Sequence, residues 1–311
     1  MRRLFPFIFA ILAGATLLGG CESTTAGGAT GLSRSQFLLV SSAAVNEGAA
    51  KAYTREMVKA HSAKALNTDV AQTSRVNSIT QRLIAQVGVF RPDAVDWDWE
   101  INVIEDKSIN AYCMPGGKMV IYTGIIEQLK LTDDELAAII GHEMAHALRE
   151  HSREQISRQV ATNHLITIGS IFLGLGSVSQ NVAGIASELV LALPFSRSME
   201  FEADTMGVEL MARAGFDPNA AVSVWKKMNA LNEGRSTATT FLSTHPSDAA
   251  RVTNLQNQLP AVMPLYEEAG QKGFPEQAAA APLQTAVPEV QTDRRAARPQ
   301  GARARVRAAG R

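Results

Sequence analysis

The fold of this 311-residue chain is organised around one stretch, Ile139-Ile140-Gly141-His142-Glu143-Met144-Ala145-His146-Ala147-Leu148. Apolar residues recur here at intervals of three and four, which is the spacing of one buried helical stripe. Upstream, Thr132 is followed three residues later by Glu135, and this pair is typical of a capping box at a helix start. The pattern therefore predicts a largely buried helix that begins near Thr132.

Two histidines on this helix predict a metal site. His142 and His146 are four residues apart, so their imidazoles leave the same face of the helix about one turn apart. Glu143 lies beside them. Two neutral imidazoles at this spacing bind zinc, and the adjacent carboxylate can accept a proton from a water at the metal. The alternative, incidental polar residues on a buried stripe, is a poor fit because burying three such groups without a partner is costly. The His-Glu-x-x-His pattern is a known signature of metalloproteases.

The third zinc ligand is predicted downstream. A catalytic zinc site needs three protein ligands and an open position. Glu200 and Asp204 are four residues apart on a predicted helix that ends near Gly215, whereas Glu202 points elsewhere. We assign Glu200 to zinc and Asp204 to the remaining N–H of a zinc histidine, which it would orient. Without the upstream histidine pair, a surface helix with acidic residues in its first turn would be the preferred interpretation of this segment.

A small sheet is predicted just before the zinc helix. Residues 97–105 alternate between apolar and polar side chains, which is strand periodicity. A second strand is predicted around residues 110–114 and a third over residues 118–122, with Pro115-Gly116-Gly117 as the turn between them. The expected result is a small antiparallel sheet beside the zinc helix. Its edge either pairs with an extended substrate or serves only as structural support.

Taken together, these motifs resemble those of the gluzincins. The segment Ser196-Arg197-x-x-Glu200-x-x-Ala203-Asp204 is similar to the second motif of metallopeptidase family forty-eight, which includes HtpX and the CAAX prenyl proteases. Two further elements resemble this family over roughly residues 40–260: Asn110-Ala111, similar to its edge strand, and Thr244-His245-Pro246 with Arg251, similar to its C-terminal element.

The resemblance implies an α+β, mostly α-helical fold: a zincin-like catalytic domain, placed here at residues 33–265, that binds one Zn²⁺. It implies endopeptidase activity with Glu143 as the general base. Asn110 and Ala111 would lie on the edge strand that contacts substrate. His245 would approach the zinc or the water position, and Arg251 would stabilise the oxyanion that forms on the peptide carbonyl.

The first 21 residues predict export and a lipid anchor. Arg2 and Arg3 precede an apolar run that is too short for a comfortable membrane span. The run ends in Leu18-Gly19-Gly20-Cys21, which resembles a bacterial lipobox. We therefore expect a lipoprotein signal peptide over residues 1–20, lipidation of Cys21, and a flexible tether over residues 21–32. Glu22, in place of aspartate, favours the outer membrane. An ordinary secretory signal followed by a chance cysteine is the alternative.

Two other regions are interpreted from composition. Residues 165–195 are mostly apolar but interrupted, which favours two helices, or a helix and a mobile flap, over a membrane-touching surface. Residues 270–311 form an Ala/Pro/Arg-rich tail that we expect to be disordered. Its arginines either attract an anionic surface or are simply solvated. The net charge of the whole chain is +0, so nothing favours nucleic acid as a partner.

These observations predict a zinc endopeptidase in the periplasm, anchored to a membrane through lipid on Cys21. The family resemblance implies that its substrates are misfolded or unassembled envelope proteins, and that it would meet the outer-membrane assembly machinery. The competing hypothesis is a periplasmic chaperone or assembly factor that binds unfolded outer-membrane proteins, with proteolysis gated or secondary. The intact Glu143 favours the enzyme, because a protein that only holds polypeptides has no use for a general base beside zinc.

Overall fold

The computed structural model describes residues 21–164, 178–233, 239–246 and 249–272. The predicted signal peptide, the first part of the apolar region and nearly all of the predicted tail lie outside these ranges. The described part is mostly helical. Its helices are α1 (Ser42–Ser62), α2 (Val70–Ile84), α3 (Thr123–Leu129), α4 (Asp133–Leu148), α5 (His151–His164), α6 (Val178–Leu189), α7 (Arg197–Arg213), α8 (Asn219–Asn232), α9 (Thr240–Thr244) and α10 (Ala249–Lys272).

The expected zinc helix is present, and the described part of the chain ends in a long helix. Helix α4 begins with the capping box formed by Thr132 and Glu135. Helix α10 includes Pro260 and Pro264 in its interior. Its buried face, with Val262 in the main hydrophobic core, packs against α7 and α8. This burial outweighs the poor helix propensity of proline. Among the described helices, none is both long and apolar enough to cross a membrane.

The small sheet beside the zinc helix is mixed, not antiparallel throughout. Strands β3 (Glu100–Ile104), β4 (Ala111–Met114) and β5 (Lys118–Tyr122) lie in the order β3-β5-β4. Strands β4 and β5 form the expected antiparallel hairpin, but β3 pairs with β5 in parallel. The prediction treated the three strands as a simple meander. In the structure, the segment between β3 and β4 crosses over and leaves β4 at the edge, where it contacts α4.

Two glycines set the distance between the helices that carry the predicted ligands. Helices α4 and α7 pack against each other through Gly141 and Gly207. A Cβ atom on Gly207 would lie 2.8 Å from the backbone nitrogen of His142, which is closer than real Cβ contacts allow. Only glycine permits this approach of two backbones. The close crossing brings the carboxylates of α7 to the histidines of α4.

The N-terminal segment, residues 23–37, packs against the catalytic body. Its strand β2 (Gln36–Phe37) pairs with β1 (Cys21–Glu22). The backbone nitrogens of Ala29 and Thr30 donate to the buried carboxylate of Glu209, at 2.9 and 3.0 Å. Composition suggested a flexible tether over residues 21–32. The observed contacts differ from that expectation. A Ser/Thr/Gly-rich composition does not indicate that a carboxylate 180 residues along the chain accepts hydrogen bonds from this segment.

Arg34, also in the N-terminal segment, forms an ion pair whose effect on stability depends on pH. Its guanidinium donates to both oxygens of buried Glu154, at 2.8 and 2.7 Å. Although burial opposes the change, hydrogen bonds from Arg34 and Arg158 lower the pKa of Glu154 from 4.5 to about 2. A carboxyl whose folded pKa is depressed stabilises the fold above its unfolded pKa, and this stabilisation is lost as the pH falls through the folded pKa.

We expect Glu154→Gln to lower the free energy of unfolding by about 2 kcal/mol at pH 7. The gap between the variant and the wild type should shrink as the pH falls from about 5 towards 2, because the wild-type carboxyl then becomes neutral. Urea denaturation across this range measures the gap. Glu47→Gln, which removes an exposed pair with Lys51, is the control and should show almost no gap at any pH. If the difference in unfolding free energy for Glu154→Gln did not change with pH, the ion pair with Arg34 would not be the cause of the lowered pKa of Glu154.

Candidate metal centre and active-site cleft

The four side chains His142, His146, Glu200 and His245 converge in the interior of the protein. Their donor atoms all lie within 4.8 Å of one another, and all four residues are buried. Helix α4 supplies the two histidines, α7 supplies the glutamate, and His245 follows directly after α9. The structure therefore brings together every residue that the sequence assigned to the metal, together with His245.

The spacing of these donors fits a zinc ion. The Nε2 atoms of His142 and His146 are 3.1 Å apart, and each lies 3.4–3.5 Å from an oxygen of Glu200. His245 Nδ1 lies 3.4 Å from His142 Nε2 and 3.1 Å from Glu200 Oε1. Tetrahedral ligands at ordinary zinc distances are roughly 3.3 Å apart. The donor types and their separations therefore match a zinc site.

The surroundings of His142 favour positive charge at this point. Asp204 accepts two hydrogen bonds from Arg251, at 2.8 and 2.7 Å, and so stays ionised. Its Oδ1 lies 3.1 Å from His142 Nδ1, which must carry a proton, so in the neutral imidazole the Nε2 lone pair faces Glu200. This lone pair and the Glu200 carboxylate repel each other unless positive charge lies between them, either as a proton on Nε2 or as a metal ion. Although burial lowers it, the pKa of His142 is raised by hydrogen bonds to Asp204 and Glu200, which favour positive charge here.

Glu143 has the surroundings that a general base beside a metal would need. Its Oε1 is buried and has no hydrogen-bond partner within the described ranges, its neighbour His245 Nε2 being 3.5 Å away. Burial raises the pKa of Glu143 to about 7, although the charge of His245 and the Cys113 backbone N–H act in the opposite direction. A buried carboxylate with an unused oxygen beside the metal donors can accept a proton from a water placed there.

A cleft leads from Glu143 along the edge of the sheet. Its volume is about 630 Å³, part of it open to solvent, and its lining includes Asn110, Ala111, Leu193, Phe195 and His245. In the part of the chain that the structure describes, β4 pairs only with β5, and residues 111–113 of β4 line this cleft. Unpaired backbone N–H and C=O groups at such an edge can add an extended peptide as a further strand.

Arg251 lies behind the metal donors instead of in the cleft. In addition to its bonds with Asp204, its Nη1 lies 2.6 Å from Glu200 Oε2, and its guanidinium stacks 3.6 Å from the Trp225 ring centroid. Arg251 is 2% exposed and does not line the cleft. The family resemblance suggested an oxyanion role. The observed position does not fit an oxyanion role, because the guanidinium pairs with the carboxylates of Asp204 and Glu200.

Sequence reasoning missed His151, which also contacts the site. If α4 continued as a regular helix, His151, nine residues after His142, would lie on the opposite side from His142. In the structure, Glu150 takes a left-handed backbone with φ of 49°, and a new helix begins at His151. Its ring thereby turns back, and its Nδ1 lies 2.9 Å from His146 Nδ1. Glu202, correctly directed away from the metal, contacts the other nitrogen of His151 at 3.1 Å.

Aromatic rings surround the histidines. Phe195 stacks on His146 with ring centroids 3.9 Å apart, and Phe241 stacks on His245 at 4.6 Å. The backbone N–H of Phe195 also donates to the carbonyl of Thr244, next to His245. These apolar rings lower the polarity around the histidines and so strengthen electrostatic interactions there.

Comparison with known proteins agrees with this geometry. Residues 70–259 match peptidase family M48. The mitochondrial metalloendopeptidase OMA1 of Schizosaccharomyces pombe is 38% identical over 188 residues, which cover 60% of this chain and 53% of that protein. Metalloprotease LoiP of Escherichia coli is 30% identical over 156 residues, covering 50% of this chain and 60% of LoiP. The beta-barrel assembly-enhancing protease of Yersinia pestis is 26% identical over 219 residues, covering 68% of this chain and 43% of that protein.

The chain spans about half the length of these relatives, so the match concerns the catalytic region that they share with it. The matched residues include all of α4 and α7, with the buried donors that they carry, and the cleft edge at β4. A family match over more than half of the chain and a donor cluster suited to zinc lead to the same conclusion: this chain belongs to peptidase family M48.

Proposed function

We propose that this chain is a zinc endopeptidase of the bacterial cell envelope that hydrolyses misfolded or unassembled envelope proteins. One observation carries the endopeptidase assignment. Glu143 lies between the metal donors and the open edge of β4, in a cleft that both Glu143 and His245 line. An extended polypeptide paired to β4 would pass beside the carboxylate, and pairing through its backbone accepts many sequences.

In the proposed mechanism, His142, His146 and Glu200 hold the metal. When bound, zinc supplies Lewis acidity, which lowers the pKa of a water and polarises a carbonyl. Glu143 accepts the proton of the attacking water and passes it to the leaving amine. The backbone edge at Asn110 and Ala111 orients the substrate chain. The buried surroundings of Glu143 keep competing water away from its carboxylate.

Asp204 and Arg251 act as positioning residues in this mechanism. Asp204 fixes the orientation of His142 through Nδ1, and Arg251 holds Asp204 and Glu200 in place. His245 occupies the fourth corner of the donor cluster and contacts Glu143. We propose that His245 closes the water position in the resting enzyme and must move before substrate enters.

We expect His245→Ala to raise the hydrolysis rate of a short quenched peptide several-fold, because the variant no longer needs this opening step. Bound zinc should be unchanged, since three protein ligands remain. Steady-state fluorescence and metal analysis measure the two quantities. A loss of activity with zinc retained would contradict the closing role and would instead assign His245 to oxyanion stabilisation.

The compartment is proposed from residues 1–21, which resemble a lipoprotein signal with Cys21 at the lipidation point. The name of one bacterial relative, the beta-barrel assembly-enhancing protease, supports an envelope setting, whereas OMA1 is mitochondrial. Lipid on Cys21 would place the enzyme at the outer membrane, near the assembly machinery. Cys21→Ser should move the protein from the membrane fraction to the soluble periplasmic fraction, and unchanged fractionation would contradict the anchor.

The substrate proposal is tested with an outer-membrane β-barrel protein in its unfolded and folded forms. We expect the purified enzyme to cleave the unfolded form and spare the folded one. A zinc chelator should stop cleavage, and added zinc should restore it. Prevention of aggregation without any cleavage, in zinc-loaded protein, would overturn the proposal and favour the chaperone hypothesis. Equal cleavage of both forms would overturn the preference for unassembled proteins.

A further inference from the structure

Behind His146, a chain of hydrogen bonds leads away from the metal centre. His146 Nδ1 lies 2.9 Å from His151 Nδ1, and His151 Nε2 lies 3.1 Å from Glu202 Oε2. His151 is 0% exposed and Glu202 is 4% exposed. The proposed catalytic steps use neither residue. Their burial next to a zinc ligand calls for an explanation, since isolated polar groups are costly to bury.

The charge around Glu202 decides where the protons of this chain lie. Arg149 donates to Glu202 Oε2 twice, from Nε at 2.9 Å and from Nη2 at 2.7 Å. Arg34 donates to both oxygens of the same carboxylate. Two guanidinium groups keep the carboxylate ionised, and an ionised carboxylate only accepts hydrogen bonds. The proton on His151 must therefore be on Nε2.

This arrangement determines the state of His146. With its proton on Nε2, neutral His151 has a lone pair on Nδ1, which faces His146 Nδ1. His146 must therefore carry its own proton on Nδ1, and its Nε2 lone pair points to Glu200 and His142. A histidine that binds zinc through Nε2 needs this tautomer, which a hydrogen bond at the other nitrogen selects.

We infer that His151 is a positioning residue for zinc binding, which holds His146 in the tautomer and orientation that the metal requires. Glu202 and Arg149 orient His151 in turn. The arrangement parallels the pair of Asp204 and His142 but uses an imidazole in place of a carboxylate as the direct partner. Arg149 also donates to the hydroxyl oxygens of Ser23 and Thr25, so the hydrogen-bond network extends to the N-terminal segment.

Zinc affinity in the full-length protein tests the inference, measured by competition with a chromogenic chelator. We expect His151→Phe to weaken zinc binding by roughly 10- to 100-fold, the usual effect of removing the partner of a metal histidine. His151→Asn should recover most of this loss, because its amide oxygen stands close to the position of Nδ1 and accepts from His146. His61→Asn, which removes an exposed histidine on α1, is the matched control and should bind zinc like the wild type.

A merely structural role of His151 gives a different result. Zinc affinity of folded His151→Phe within about twofold of wild type would overturn the inference, as would an Asn variant that binds as weakly as the Phe variant. Circular dichroism of the zinc-free proteins establishes that each variant is folded. If the Phe variant does not fold, the Asn variant alone decides: near-wild-type affinity supports the inference, and a loss of tenfold or more overturns it.

Discussion

Glu143→Gln is expected to lower kcat for peptide hydrolysis by about 10³-fold while the zinc content stays unchanged. The amide has nearly the shape of the carboxylate but cannot accept the proton of the attacking water. Glu143 lies outside the donor cluster, so the metal keeps its protein ligands. Steady-state kinetics on a quenched peptide and metal analysis of the same samples measure both effects.

The matched control is Glu127→Gln, which makes the same chemical change at an exposed position on α3. It should leave kcat within twofold of wild type. Because Glu143 is buried with one oxygen unpaired, its neutral replacement should not destabilise the fold, and the melting temperature provides a check. More than a tenth of wild-type activity in folded, zinc-loaded Glu143→Gln would show that another group accepts the proton.

The donor cluster could be predicted from sequence because it depends on local helix geometry. A spacing of four residues places His142 and His146 on one face of a helix, and the same rule relates Glu200 to Asp204. The motif resemblance then placed the two pairs together. Helices α4 and α7 cross at Gly141 and Gly207, and this crossing brings the histidine pair and the acidic pair together.

The parts that could not be predicted depend on breaks in regular structure and on contacts between distant segments. The left-handed backbone of Glu150 interrupts the regular helix after α4. Helical spacing counted from His142 would therefore place His151 on the side away from the metal donors. The parallel pairing of β3 and β5 depends on a crossover that alternating side chains do not specify. The docking of residues 23–37 depends on Glu209 and Arg149, which are buried acceptors and donors far along the chain.

Arg251 illustrates a position whose identity was predicted but whose role was not. The resemblance singled it out, and the expected role was contact with the reacting carbonyl. In the structure, it is one of the most deeply buried side chains and neutralises Asp204 and Glu200. Although burial raises the pKa of Glu200, the charges of His245 and Arg251 lower it well below the usual range. Both carboxylates therefore remain ionised in the interior.

We expect Arg251→Met to lower the free energy of unfolding of the zinc-free protein by about 3–5 kcal/mol, because two buried carboxylates lose their main cationic partner. The deficit should be smaller with zinc bound, since the metal supplies positive charge beside Glu200. Urea denaturation with and without zinc measures both values. The control is Arg158→Met, which removes an arginine whose side chain is 55% exposed and should cost less than about 1 kcal/mol.

A double-mutant cycle separates this charge effect from lost packing against Trp225. Asp204→Asn removes one of the two charges that Arg251 neutralises, so adding it to Arg251→Met should cost much less than the sum of the single effects. Additive costs would mean that Arg251 stabilises the fold mainly through its stacking on Trp225. A loss below 1 kcal/mol in the single variant would mean that the buried carboxylates take up protons instead. In that case, Arg251 would matter for zinc binding by keeping Glu200 ionised, and zinc affinity would fall in place of stability.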